Sequence, residues 1–290
     1  MDASKLSLPR GPFGSNADKP PSPVLITETY HSTIQLGNFN GRVAIIKTFR
    51  NQNHSRTTLR FHNEVDALRL AGSHANITQL LDADIGRIAL TLRVEPGQSL
   101  DKYVDDRWKS TISSGDSITL WKQMSSALAH LHTNSITHDD VKPDNIMWDP
   151  SAQHAVLIDF GAALNHNILP ADWFNPSGTP PYAPPEFLHR GKGNAGDVWA
   201  LGVTMLFAFK YISLPDGNWI LPHIFEDQMV LEEMKSWLTE VEGWRRILLG
   251  RHDDLLAEML DPDPDNRIVA AELELQLKTQ EIQDSDYTAD

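Results

Sequence analysis

The chain has no cysteine among its 290 residues. That excludes a disulfide framework, a thiolate zinc site and a cysteine nucleophile, and it argues against a small secreted scaffold. Basic residues are few, 25 Lys and Arg against 39 Asp and Glu, for a net charge of −14. Proteins built to neutralise a phosphate backbone carry strongly basic surfaces, so nucleic acid is not the expected partner. Long apolar runs are also missing. The longest, Trp199 to Phe209, includes Gly202 and Thr204 and falls short of the roughly 20 residues that a membrane helix needs. The amino-terminal stretch lacks the apolar core of a signal peptide. No membrane partner is expected, and the cytoplasm or nucleus is the expected location. Without heptad arrays or an appended domain, a monomer is expected.

What is present divides along the chain. Residues 1–23 hold Pro9, Pro12, Pro20, Pro21 and Pro23 among Ser, Gly and Asp, a composition predicting a disordered leader. From Val24 to Phe49, short β-branched runs alternate with turn residues. They predict strands at Val24 to Ile26, Thr33 to Leu36 and Arg42 to Phe49, the last two joined by a Gly37 to Gly41 turn. Phe61, Val65 and Leu68 share one face of a helix predicted over residues 57–70. Two more strands are expected at Ile77 to Leu81 and Ile88 to Val94. Beyond the Glu95-Pro96-Gly97 turn the pattern becomes helical. Ser117 to Leu131, with Asp116 as N-cap, begins a series continuing at Trp199 to Phe209, Val230 to Leu238, Trp244 to Leu249, Leu255 to Leu260 and Ala270 to Leu277. Strands followed by helices predict an α+β fold with a small β-rich lobe, about 24–94, and a larger helical lobe, about 95–280. Residues 281–290 read as an acidic tail.

The densest chemistry lies in His138-Asp139-Asp140-Val141-Lys142-Pro143-Asp144-Asn145-Ile146, with Ile158-Asp159-Phe160-Gly161 following it. Asn145 and Asp159 are oxygen ligands of the kind Mg²⁺ takes when it also holds substrate phosphates. Asp140 can orient a hydroxyl and accept its proton, and Lys142 can offset charge on a transferring phosphate. Taken singly these are ordinary turn residues; their joint spacing carries the signal.

That spacing resembles the eukaryotic-type protein kinases over about residues 24–280. His138 to Asn145 is similar to the family's H-R-D-L-x-x-x-N catalytic loop except at Asp139 and Val141, and Asp159 to Gly161 matches D-F-G. Gly178 to Glu186 resembles the G-T-x-x-Y-x-A-P-E segment, Asp197 to Gly202 the D-V-W-S-L-G helix start, and Asp263 to Arg267 the late D-P-x-x-R motif. Lys142 is typical of the serine/threonine branch.

The resemblance implies a bilobal fold and ATP- and Mg²⁺-dependent phosphoryl transfer to serine or threonine of a protein substrate. It assigns catalytic roles to Asp140, Lys142 and Asn145, metal binding to Asn145 and Asp159, and ATP positioning to Lys47 with Glu64. Leu92 would be the gatekeeper, and Arg93 to Glu95, including Val94, the hinge facing adenine. Glu186 and Arg267 would form a buried ion pair, and Asp197 would brace the catalytic-loop backbone or cap its own helix.

Two departures stand out. Thr27, Thr29 and Ser32 occupy the positions of the three glycines in the nucleotide loop, and threonine is stiff where glycine permits close backbone approach. Hydroxyls of Thr29 or Ser32 are the candidate substitutes for phosphate contacts. Asp139 stands where many regulated members carry arginine, and residues 162–176 contain no Ser, Thr or Tyr. An activation-loop phosphate switch of the usual kind is therefore not expected, and Thr179 is expected to contact Asp140 and Lys142. Two alternatives remain: a pseudokinase scaffold whose nucleotide loop has decayed, and a small-molecule kinase with a similar H-x-D pattern.

Overall fold

The computed structural model describes residues 23–287 apart from 30, 52–54, 171–172, 218 and 252–253, and the side chains as far as residue 279. The leader expected at residues 1–23 lies almost wholly outside the described residues, as does the end of the tail.

Five antiparallel strands form the first lobe: β1 (Val24–Glu28), β2 (Ser32–Phe39), β3 (Arg42–Phe49), β4 (Leu80–Asp84) and β5 (Ala89–Leu92), in the order β1-β2-β3-β5-β4. The β2–β3 turn is tighter than the sequence reading. Only Asn40 and Gly41 lie outside the strands, at φ 52° and 81°, the left-handed pair that a two-residue hairpin requires. Gly37 belongs to β2 instead, opposite Ala44, where a Cβ would collide with the Ile46 side chain.

The fourth strand also starts later than expected. Ile77 makes only an isolated bridge to Leu157, while β4 runs on through Asp84 and β5 stops at Leu92. Asn76 explains the delay: its side chain donates to Gln123 and to the Ala155 carbonyl, fastening this stretch to the second lobe. Helix α1 (Ser55–Ala71) turns Phe61, Glu64, Val65 and Leu68 inward.

The second lobe begins at β6 (Gln98–Ser99), followed by α2 (Ser114–Thr133), β7 (Ile136–Thr137), β8 (Ile146–Asp149), β9 (His154–Leu157) and β10 (Leu164–Asn165). Then come α3 (Asn194–Ala208), α4 (Gln228–Leu249), α5 (Asp254–Met259) and α6 (Ala270–Tyr287). Ser113, not Asp116, caps α2: its hydroxyl accepts the Asp116 N–H at 3.1 Å and donates to the Asp116 carboxylate at 2.8 Å. Both residues belong to the cap, with exchanged roles.

Helix α3 buries every residue from Asp197 to Ala208, as a central helix must. Gly202 allows α5 to approach, since a Cβ there would lie 2.9 Å from Leu260 Cδ2. The two helices expected at Val230 to Leu238 and Trp244 to Leu249 are one. Met234, Val241 and Leu248 recur every seven residues on its buried side, so packing carries α4 through Gly243 despite the ~1 kcal/mol that glycine costs in a helix. Helix α6 likewise continues through the expected tail boundary. The β-rich lobe meets the loops joining β7 to β10 where Lys47 of β3 reaches Asp159.

Candidate active site

Strand β3 delivers Lys47 and helix α1 delivers Glu64. Lys47 Nζ donates to Glu64 Oε1 and Oε2 at 2.8 and 2.9 Å and to Asp159 Oδ1 at 2.7 Å, joining both lobes through one ammonium. Burial alone would lower the Lys47 pKa, but the facing carboxylates reverse this and raise it. Full burial raises Glu64, a rise that Lys47 opposes. Burial also works upward on Asp159, yet Lys47 and the Gly161 N–H hold it down, at about 2. Gly161 lies against this group: a Cβ there would stand 3.2 Å from Asp159 Oδ1 and 3.4 Å from Glu64 Oε2. Phe160 is buried beneath, its ring 4.8 Å from that of His138, and Leu68 is buried in the same core.

The loop between β7 and β8 carries the second group. Asp140 Oδ1 accepts from the Thr179 hydroxyl at 2.7 Å, and Oδ2 accepts from Asn145 Nδ2 at 3.0 Å and faces Lys142 Nζ at 2.8 Å. Lys142 also donates to Thr179 Oγ1 at 2.6 Å. The expected contact of Thr179 with both residues is therefore present. Asn145 donates again to the Asp140 carbonyl at 2.8 Å, which turns its own amide oxygen away from Asp140.

The loop keeps its shape because Asp197, at the start of α3, accepts the N–H groups of His138 and Asp139 at 2.7 and 2.8 Å. Gly193 occupies the N-cap position of α3, so Asp197 is a brace and not a cap. His132 Nε2 adds a third contact to Asp197 at 3.0 Å.

The β1–β2 turn differs from a phosphate cradle. Thr29 Oγ1 accepts the N–H groups of His31 and Ser32 at 3.3 and 3.0 Å, and the Thr29 N–H donates to the Ser32 carbonyl at 2.8 Å. The Thr29 and Ser32 hydroxyls are 3.4 Å apart and belong to the turn itself. Arg50, just past β3, braces it by donating to the Thr29 carbonyl at 3.0 Å. The hydroxyls proposed as phosphate contacts are thus engaged in closing their own turn, because threonine offers a side-chain acceptor where glycine would leave the backbone N–H groups open.

Between the lobes along the chain, Leu92 ends β5 opposite Ile45, Val94 is half-buried, and Glu95 is buried against Thr78 and Arg93.

The sequence pattern of the family described as "Protein kinase domain" matches residues 34–276. The chain belongs to this family. Among similar curated proteins, CBL-interacting protein kinase 22 of Oryza sativa is 29% identical over 231 residues, covering 76% of this chain and 48% of its own length. Maternal embryonic leucine zipper kinase of Xenopus tropicalis is 28% identical over 262 residues, covering 82% and 37%. Serine/threonine-protein kinase CHK1 of Saccharomyces cerevisiae is 26% identical over 209 residues, covering 70% and 38%. The chain spans less than half the length of these relatives.

As a kinase domain, it brings together Lys47, Glu64, Asp140, Lys142, Asn145, Asp159 and Thr179, while Thr29 and Ser32 remain in their own turn. Sequence reasoning missed three polar residues behind the loop: His132, Asn194, whose Oδ1 accepts from Thr137 at 2.6 Å, and Lys192. Lys192 Nζ contacts Asp139 Oδ2 at 2.5 Å and the Ser177 carbonyl and hydroxyl at 2.9 and 3.0 Å. No local motif marks it; its one signal is that Asp139 needs a cation.

Proposed function

We propose that this chain transfers the γ-phosphoryl group of ATP, with Mg²⁺, to a serine or threonine hydroxyl of a protein. The observation that carries this is the environment of Asp140, a carboxylate fixed by Lys142, Thr179 and Asn145 in the same site as the Lys47–Asp159 ion pair. Asp140 accepts the proton of the attacking hydroxyl as the new oxygen–phosphorus bond forms and the bond to the leaving ADP oxygen breaks. Lys142 offsets charge on the phosphoryl group, and Lys47, held by Glu64, positions the α and β phosphates.

The donor set suits a hard cation. Asp159 accepts from Lys47 and from the Gly161 N–H through Oδ1, its side chain is 49% exposed, and Asn145 turns its amide nitrogen, not its oxygen, to Asp140. Asn145 and Asp159 would hold Mg²⁺ together with phosphate oxygens, and the bound ion would neutralise phosphate charge. An intracellular setting, cytoplasm or nucleus, and a monomeric state belong to the same proposal.

One observation favours a second reading, a kinase-like scaffold that grips nucleotide weakly: the self-closed Thr29 to Ser32 turn. Phosphate transfer to a peptide library by the wild type, compared with Asp140→Ala and Asp159→Asn, separates the two. Transfer that is Mg²⁺-dependent and lost in both variants supports the enzyme; ATP binding without transfer supports the scaffold.

A further inference from the structure

Lys192 has no part in the chemistry above, yet it stands against the loop that carries Asp140. Asp139 adopts φ 64°, a left-handed conformation uncommon for residues other than glycine. Its carboxylate is only 10% exposed, and a carboxylate so enclosed requires a cation. Lys192, 4% exposed, supplies one. An ammonium has three hydrogens, and Lys192 has three acceptors: Asp139 Oδ2, the Ser177 carbonyl oxygen and Ser177 Oγ. Two residues further on, Thr179 binds Asp140 and Lys142. One lysine thus fastens residues 177–179 to the catalytic loop. The same segment is held a second way, by Phe174 edge-on to Phe187 and Phe225 at 5.2 and 5.7 Å, with Arg190 4.5 Å over the Phe225 ring.

We propose that Lys192 is a positioning residue, an internal cation that holds Ser177 and Thr179 in the substrate-receiving arrangement without any phosphate on the segment. The proposal rests on the phosphoryl-transfer reading. Bridging two loops by charge needs opposite signs, and a phosphorylated segment takes its cation from the catalytic loop. Here the catalytic loop supplies the acidic group, and the cation is part of the chain, so the link forms without modification of the segment. A phosphate on Ser177 would place added negative charge next to Asp139, whose Oδ2 is 3.4 Å from Ser177 Oγ, and would loosen the link.

The test compares dephosphorylated wild type, Lys192→Met and Lys192→Arg, measuring kcat and KM for peptide and for ATP, and hydrogen exchange over residues 173–179. The expected result is a peptide KM raised about tenfold or more in Lys192→Met, an unchanged ATP KM, and recovery to within about threefold of wild type in Lys192→Arg. Unchanged peptide KM in Lys192→Met, no recovery in Lys192→Arg, or activity lost on dephosphorylation of the wild type would overturn it. If the wild type transfers no phosphate, the phosphoryl-transfer reading has failed, and hydrogen exchange decides the clamp alone. Faster exchange in Lys192→Met but not Lys192→Arg supports it, and equal exchange refutes it. Should Lys192→Met not fold, Asp139→Asn removes the opposite charge and carries the same test.

Discussion

Arg267 closes on Glu186 across 81 residues of chain, Nη1 on Oε1 at 2.8 Å and Nη2 on Oε2 at 2.9 Å. The guanidinium side chain is 0% exposed and the carboxylate 12%, and Arg267 also donates to the Ala195 and Asp261 carbonyls and lies 5.1 Å over the Trp199 ring. One residue therefore ties the segment after Thr179 to α3 and to the stretch before α6. Removing one partner of such a pair leaves a buried charge uncompensated. Arg267→Met should lose about 3–5 kcal/mol of unfolding free energy in a urea titration. A loss below about 1 kcal/mol would contradict the structural role.

Glu64 has a narrower task, holding Lys47 where phosphate would meet it. Glu64→Gln replaces an ion pair with a neutral contact and leaves Lys47 to Asp159. With charge-assisted hydrogen bonds contributing about 1.5–3 kcal/mol, the ATP KM should rise about tenfold to a hundredfold, with peptide KM little changed. Steady-state kinetics at varied ATP checks this. An unchanged ATP KM would remove Glu64 from nucleotide positioning.

The Thr29 to Ser32 turn predicts a gain of affinity on substitution. Thr29→Gly removes the acceptor that engages the His31 and Ser32 N–H groups and frees them for phosphate. Added glycine flexibility costs roughly 0.5–1 kcal/mol, so the net fall in ATP KM should be about twofold to tenfold. Steady-state kinetics at varied ATP with Mg²⁺ measures it directly. Weaker binding by the variant would mean that the closed turn helps hold nucleotide as it stands.

Burial raises the Asp139 carboxyl to about 7 from its ordinary 3.8, against the pull of Lys192. The folded protein therefore holds this proton more tightly than the unfolded chain does. Between about pH 4 and 7 the group makes stability fall as pH rises, because the native state binds more protons. Asp139→Asn lacks this slope, so its melting temperature should improve relative to wild type across that interval and run parallel above about pH 7. A variant that instead loses ground to wild type as pH rises would show that Lys192 outweighs burial.

Much of this architecture is legible in the sequence. The β-branched runs place the strands, 3.6-residue spacing places the helices, and ordered motifs pick out Lys47, Glu64, Asp140, Asn145 and Asp159, whose contacts the fold supplies. Local signals mislead where distant packing decides. Residues 239–243 read as a break between two helices until the buried stripe of Met234, Val241 and Leu248 carries α4 through them. Ile77 reads as strand until Asn76 anchors it to the second lobe. Lys192 sits between two glycines in no recognisable pattern, and only folding brings it across 53 residues to Asp139. Thr29 and Ser32 are visible as substitutions, but the hydrogen bonds of the Thr29 hydroxyl to the Ser32 backbone follow from turn geometry.

Transfer of labelled γ-phosphate from ATP to a serine/threonine peptide library, with Mg²⁺ or with chelator, tests the central claim most directly. The wild type should label peptide only with Mg²⁺. Asp140→Ala should lose about 10²- to 10⁴-fold in rate, the range a positioned general base supplies. No labelling by the wild type, or equal labelling by wild type and Asp140→Ala, would contradict the assignment of Asp140 as the group that accepts the hydroxyl proton.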